Sequence, residues 1–214
     1  MASRFTFDME DDPVPIVLIF RTMLEHALSN RDHAETADAI NGSFSLVSVT
    51  DPQSLTISID GNTISLRHGV SKDSNIIIHL DFARMSEPGY EPRIEGLFRH
   101  PLFAYRVGKF LSFPPSNWAD DAKRFWDAAR STKGMPDAIK LTSTDDGRQL
   151  TLGEGSQVVE ITGKSTSLAS LFAGSSVLIN ELMQGNLQMR GTLEQMTVLS
   201  GVTLKSMVGE LDHG

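Results

Sequence analysis

Gly185-Asn-Leu-Gln-Met-Arg-Gly191 alternates polar and apolar residues between two glycines. A period of two puts Leu187 and Met189 on one face and Asn186, Gln188 and Arg190 on the other. Gly185 can take the positive φ that stops a preceding helix. Gly191 lets the chain turn at once into a helix opened by Thr192, with Gln195 three residues on as its capping-box partner. The stretch therefore reads as a one-sided strand joining two helices, its apolar face turned toward whatever they enclose.

Around it the apolar density is high. Leu178, Ile179, Leu182, Met183, Leu187, Met189, Met196, Leu199, Val202, Leu204 and Met207 fall within thirty residues, and four of the nine methionines are among them. Methionine is flexible and fills gaps of variable shape, which suits a pocket for apolar ligands. The same set read without a ligand is an ordinary core. A pocket of several hundred Å³ lined this way would hold its ligand mainly by burying apolar area, with few polar anchors.

Upstream, the pattern runs in two halves. Pro15 to Leu28 is helical, with Ile16, Ile19, Phe20, Met23, Leu24 and Ala27 at three-to-four spacing. Residues 1–13 read as a solvated acidic lead and 29–41 as a polar link. Strand patterns follow at Phe44–Val49, at Ser54–Ile59 and Thr63–Leu66 around the Asp60-Gly61 turn, and at Asn75–Phe82, where Ile76, Ile78, Leu80 and Phe82 share a face. Residues 84–95 read as loop and Leu97–Phe113 as an apolar helical segment broken by Pro101. Trp118–Arg130 reads as a helix, with both tryptophans on about one face as core or interface anchors. After a linker at 131–136, strands recur around a second turn, Asp146-Gly147. In both halves the turn glycine and the next loop glycine are eight apart: Gly61 and Gly69, then Gly147 and Gly155. Each half then reaches a Leu-Phe pair (Leu97-Phe98, Leu171-Phe172) and a short β pattern opened by glycine, at Gly108–Phe113 and Gly185–Met189. An internal duplication and a chance recurrence both fit this pattern.

The whole chain sets bounds. It has 214 residues, 40% apolar and 21% charged, which is ordinary for a globular protein. A net charge of −8 with no basic, aromatic-interleaved run argues against nucleic acid as a partner. With no cysteine, disulfides and thiolate metal sites are excluded. The first residues lack a basic start and an apolar run, and the longest apolar run near them, Val14–Phe20, is seven residues long. A cytoplasmic protein without stable membrane insertion is the expectation.

The closing part resembles the sterol carrier protein 2 family. The resemblance rests on Ile161-Thr-Gly163, Leu168–Phe172, Leu178–Met183, the Gly185–Gly191 stretch and the apolar tail to Leu211. It is clearest over 136–211 and looser over 15–82. Residues 84–135 exceed the usual single domain: either they are a large insertion, or each half is a partial copy and the two share one sheet. The resemblance implies an α/β (α+β) fold with one mainly antiparallel sheet under helices, enclosing an apolar tunnel. The organisation expected is an acidic lead at 1–13, a first half at 14–130 carrying the insertion and a second half at 136–211, in one compact unit. It implies noncatalytic binding and transfer, or presentation, of an apolar lipid such as a sterol, acyl chain or isoprenoid. Candidate lining residues are Leu97, Phe98, Leu171, Phe172, Leu178, Ile179, Leu182, Met183, Leu187, Met189, Met196, Leu199, Val202 and Met207. No cofactor or metal is implied. Besides the lipid, a homo-oligomer or a partner enzyme stays open.

Other chemistry is weaker. Gly163-Lys164-Ser165 follows a strand and precedes a helix, but a phosphate loop needs glycine five residues earlier, where Val158 stands. Ser165 or Thr166 reads better as a helix cap. His79 and Asp81 share a strand face and could begin a two-histidine, one-carboxylate metal site, with His68 or His100 remote. That face also reads as solvated, opposite an apolar stripe. An enzyme using His79 and Asp81, or an accessory subunit of a lipid-modifying enzyme, are the alternatives to the carrier reading.

Overall fold

In the computed structural model, residues 4–82, 90–112 and 117–211 are described. They form an α+β protein of ten strands and seven helices. The strands make two sheets instead of the single one expected, in two compact units, Met1–Pro114 and Pro115–Gly214.

The first unit comprises β1 (Thr6–Met9), α1 (Pro15–Leu28), α2 (Arg31–Asp38), β2 (Gly42–Ser48), β3 (Ser54–Asp60), β4 (Thr63–His68), β5 (Ile76–Leu80), β6 (Arg93–Glu95) and α3 (Pro101–Leu111). Its sheet runs in the order β1-β4-β3-β2-β5-β6. One sheet face supplies Phe44, Leu46, Leu55, Ile57, Ile64, Leu66, Ile76, Ile78 and Leu80 to the core. Onto it pack Ile16, Val17, Phe20 and Leu24 of α1 and Ala104, Val107 and Phe110 of α3. The opposite face of β2 and β3 buries hydroxyls. Ser45 Oγ lies 2.8 Å from Thr56 Oγ1 and 2.7 Å from Ser74 Oγ. Thr56 donates to the Gly69 carbonyl at 2.8 Å and accepts from the Ser71 amide at 2.9 Å. The 69–74 loop is thereby tied across the sheet, with its polar groups satisfied.

Four expectations need correcting here. The acidic lead holds a strand: β1 pairs in parallel with β4, Phe5 is buried, and Phe7 and Met9 pack on the core. Its acids obscured a period-two pattern, and Asp8 pairs with Arg67 at 2.6 Å. The polar link contains α2, whose N-cap Asn30 accepts from the Asp32 amide at 2.9 Å. Within the expected 84–95 loop, Arg93–Glu95 forms β6; residues 83–89 lie outside the described ones. The β pattern expected from Gly108 is helix instead, because Pro101 opens α3 and the buried Ala104, Val107 and Phe110 recur at a spacing of three.

The second unit comprises α4 (Trp118–Ala129), β7 (Ala138–Ser143), β8 (Gln149–Gly153), β9 (Val158–Gly163), α5 (Ser165–Phe172), α6 (Leu178–Met183), β10 (Leu187–Arg190) and α7 (Leu193–Met207). Its sheet order is β10-β9-β7-β8. Trp118, Phe125 and Trp126 of α4 pack with Ile139, Leu141, Val159 and Ile161 of the sheet and with Leu168, Leu171 and Phe172 of α5. Gly153 has φ +81°, and a Cβ there would collide with the Trp126 ring and the Asp137 carbonyl.

The units share a four-strand kernel. In the first, β3 pairs antiparallel with β2, β2 parallel with β5, and β5 antiparallel with β6. In the second, β8, β7, β9 and β10 repeat that pairing in that order. The glycine spacing in the sequence matches the β3–β4 turn with the β7–β8 turn. By position in the sheet, the β7–β8 hairpin corresponds to β2–β3. The Asp-Gly turns are thus offset by one hairpin, and β4 has no counterpart in the four-stranded sheet.

Candidate functional site

The segment from α6 to α7 is built as its sequence dictates. At the end of α6, Gly185 has φ +74°, its amide donates to the Leu182 carbonyl at 3.1 Å, and the Asn186 amide donates to Glu181 at 2.9 Å. These are the two reverse bonds of a glycine-terminated helix. At the start of α7, Thr192 and Gln195 close a capping box: Thr192 Oγ1 accepts from the Gln195 amide at 3.2 Å, and Gln195 Oε1 accepts from the Thr192 amide at 2.8 Å. Between them, β10 buries Leu187, half-buries Met189 and exposes Gln188 and Arg190. Leu187 lies opposite Gly163 in the β9–β10 register, and a Cβ on Gly163 would strike the Leu187 side chain. The absence of that Cβ is what lets Leu187 reach the core.

The fourteen candidate residues separate into groups. Leu171, Phe172, Leu178, Leu187, Leu199 and Val202 are buried together in the core of the second unit. Leu182 and Met189 pack partly buried at the edge of that cluster. Ile179, Met196 and Met207 are half-buried on α6 and α7, and Met183 is exposed. Leu97 and Phe98 belong to the first unit and are exposed, beside a cavity of about 200 Å³ lined by Gly96, Phe98 and Arg99.

The polar atoms of this segment were not anticipated. Thr203 is buried on α7 and accepts from the Leu178 amide at 3.1 Å, satisfying the first turn of α6 from another helix. Glu181 is buried on α6; its Oε1 accepts from Ser176 Oγ at 2.5 Å. Among the described residues, Glu181 Oε2 and Ser200 Oγ of α7 are buried without a hydrogen-bond partner. Buried polar atoms in folded proteins are nearly always paired, so these two ask for an explanation. In the sequence, Glu181 shows only as an acid on a helix whose other face is apolar.

The cap of α5 is also supplied from outside the helix. Lys164 stands at the N-cap without a side-chain bond, and neither Ser165 nor Thr166 fills that role. Asp145, in the β7–β8 turn, accepts from the Ser165 amide and from Ser165 Oγ, both at 2.7 Å, and from Ser143 Oγ at 2.8 Å. Those bonds, the Ser165 hydroxyl first and then its amide, hold the Asp145 carboxyl at about 2, below the ordinary 3.8. The signal in the sequence was the doubled acid before Gly147: one carboxylate serves the turn, and the other is left to cap.

The rival site has different geometry. His79 Nε2 lies 3.0 Å from Glu95 Oε1, which Arg93 also approaches at 3.3 Å. The Asp81 amide donates to the Tyr90 hydroxyl at 2.6 Å. Among the described residues no three His, Asp or Glu side chains are placed to share a metal ion, and no helix is long and apolar enough to cross a membrane.

Comparison with known proteins adds little. No protein-family model matches the chain, and no curated protein matches it. Among solved structures, the sterol carrier protein 2 from Yarrowia lipolytica, in its apo form, is similar over 42% of this chain and 84% of that chain. The identity is 16% and the TM-score 0.28, a weak similarity.

Proposed function

We propose that the second unit binds an apolar lipid and transfers or presents it without chemical change. The ligand enters along the half-buried edge formed by Ile179, Leu182, Met189, Met196 and Met207, above the buried Leu178, Leu187, Leu199 and Val202. The observation that supports this most is the pair of buried, unpartnered oxygens on α6 and α7, Glu181 Oε2 and Ser200 Oγ. A lipid carrying a single hydroxyl, such as a sterol or a long-chain alcohol, would donate to one of them while its apolar body is held by area burial. The flexible methionine and leucine edge moves at low cost to admit such a body.

The test is native mass spectrometry of the freshly purified chain, followed by uptake of a fluorescent sterol. Co-purified lipid is expected, and Leu182→Glu should lower uptake at least about tenfold, since a charge facing a lipid costs well over the 1.4 kcal/mol of one decade. His79→Ala, in the other unit, should leave uptake unchanged. Equal uptake by the two variants, both folded, would remove α6 from the site.

A further inference from the structure

A second surface lies in the first unit, where β6 leads into α3. Ten large apolar side chains are exposed among the described residues, and four of them, Leu97, Phe98, Leu102 and Tyr105, fall within nine positions. Phe98 is 98% exposed, Leu102 72% and Tyr105 73%. The packing of α3 forces this. Ala104, Val107 and Phe110 lock one face of the helix into the core, so Leu102 and Tyr105 must stand on the other. Scattered exposed leucines need no explanation, but a cluster of this kind marks a docking surface.

The charges around it are opposite in sign to the rest of the chain. Residues 93–112 carry Arg93, Arg99, Arg106 and Lys109 against one acid, Glu95, in a chain of net charge −8. Arg99, His100, Arg106 and Lys109 are exposed. Arg106 donates to the Ala39 carbonyl at 2.8 Å, while the side chains of Arg99 and Lys109 make no hydrogen bond or ion pair among the described residues. Exposed apolar side chains interleaved along one segment with exposed Arg and Lys match the interface of an anionic bilayer, where aromatic and aliphatic tips enter the headgroup layer and Lys and Arg hold phosphates.

We propose that the β6–α3 corner docks the protein on anionic lipid surfaces, with Phe98, Leu102 and Tyr105 entering the interface and Arg99 and Lys109 engaging lipid phosphates. The chain's overall negative charge does not prevent this, because at physiological salt charges farther than about 8 Å from the surface are largely screened. The proposal stands apart from the lipid site of the second unit, and its test uses different residues.

The test is cosedimentation of the full chain with phosphatidylcholine vesicles, with and without about one third phosphatidylserine. Binding is expected to the anionic vesicles and to weaken as salt rises. Phe98→Ser with Leu102→Ser should reduce it about tenfold or more, since each lost buried methylene removes part of the partition energy. Arg99→Glu with Lys109→Glu should abolish the preference for phosphatidylserine. Both pairs are exposed, and circular dichroism checks that they fold. Absence of vesicle binding by the folded native chain would overturn the proposal, as would unchanged binding by the Phe98 and Leu102 variant. Self-association lost in that variant, without vesicle binding, would assign the surface to a second copy of the chain and overturn it equally. Sterol uptake by the second unit should be the same in all these variants, so a failure here and a failure of the carrier reading are told apart.

Discussion

The two units start from the same four strands and finish them differently. The first adds β4 and β1 beyond β3, so the kernel strand that would be an edge becomes interior. The second leaves β8 at its edge, with alternate residues exposed, and spends its extra chain on helices. Between the last two kernel strands the first unit has a connection from Asp81 to Pro92, and the second inserts α5 and α6. The consequence lies in what each buries. The first unit closes a mostly aliphatic core against a continuous sheet, and its buried polar groups include the bonded Ser45–Thr56–Ser74 hydroxyls and His33, whose Nε2 lies 3.0 Å from the Phe110 carbonyl. The second closes its core with tryptophans and short helices whose ends are satisfied by side chains from elsewhere, and among its described residues Glu181 Oε2 and Ser200 Oγ stay buried and unpaired. A kernel finished by strands bonds its polar groups within one sheet, whereas one finished by short helices depends on contacts borrowed from other elements.

The sharpest way to break this contrast is to unfold one unit alone. Gly153→Val places a branched side chain against Trp126 and the Asp137 carbonyl, at a φ of +81° that valine does not tolerate. Strain and overpacking together should cost about 4 kcal/mol or more, enough to unfold a marginal unit. Hydrogen exchange should show β7 and β9 losing protection while β2, β3 and β5 keep theirs. Loss of protection in both sets would show that the second unit supports the first, and would end the picture of two self-sufficient cores.

A smaller effect tests the first unit. Thr56→Val keeps the side-chain shape but removes the donor to Gly69 and the acceptor for the Ser71 amide. The half-buried Ser71 amide then keeps only its longer bond to Ser45 Oγ, at 3.3 Å, and the Gly69 carbonyl loses a donor, which together should cost about 1 kcal/mol. Urea unfolding followed by exchange should show the loss in the first unit only. A neutral result would mean that the 69–74 loop is held by its backbone rather than by the hydroxyl cluster.

How much of this was legible follows from the reach of each interaction. The Gly185–Gly191 segment could be read in detail because its turn and cap are made by residues within five positions of one another and its strand shows by local alternation. The Asp60-Gly61 and Asp146-Gly147 hairpins and the buried tryptophan face of α4 were legible for the same reason. β1 was hidden because Asp8, its one acid, finds its partners Ser65 and Arg67 fifty-seven and fifty-nine positions away, and nothing local reveals them. The division into two sheets was hidden because both halves carry the same patterns, and alternation does not say which strands pair. For the candidate site, the apolar residues were visible by type. That six of them are buried together, that five are half-buried, and that Leu97 and Phe98 face outward in the other unit is set by packing. Glu181 and Ser200 gave no signal, because an unpaired buried oxygen is a property of the fold and not of spacing.

The smallest effect concerns how each unit caps a helix, and it separates charge from geometry. In the first unit α2 is capped by its own neighbour Asn30, which carries no charge at any pH. In the second, α5 is capped by Asp145 from a distant turn, and the bonds from Ser165 hold that carboxyl at about 2 against an ordinary 3.8. A depressed carboxylate pKa stabilises the fold fully above the unfolded value and loses that contribution as pH falls through the folded one. Asp145→Asn should therefore lower the melting temperature modestly at neutral pH, and the gap from the native chain should close between about pH 4 and pH 2. Asn30→Ala should also lower it, by a similar amount, but the gap should stay level over the same range. Melting curves of the three proteins at several pH values decide the matter. If the Asp145→Asn gap is as flat as the Asn30→Ala gap, the α5 cap works through geometry alone. In that case the two units do not differ in how they hold their helices, only in where the capping residue comes from.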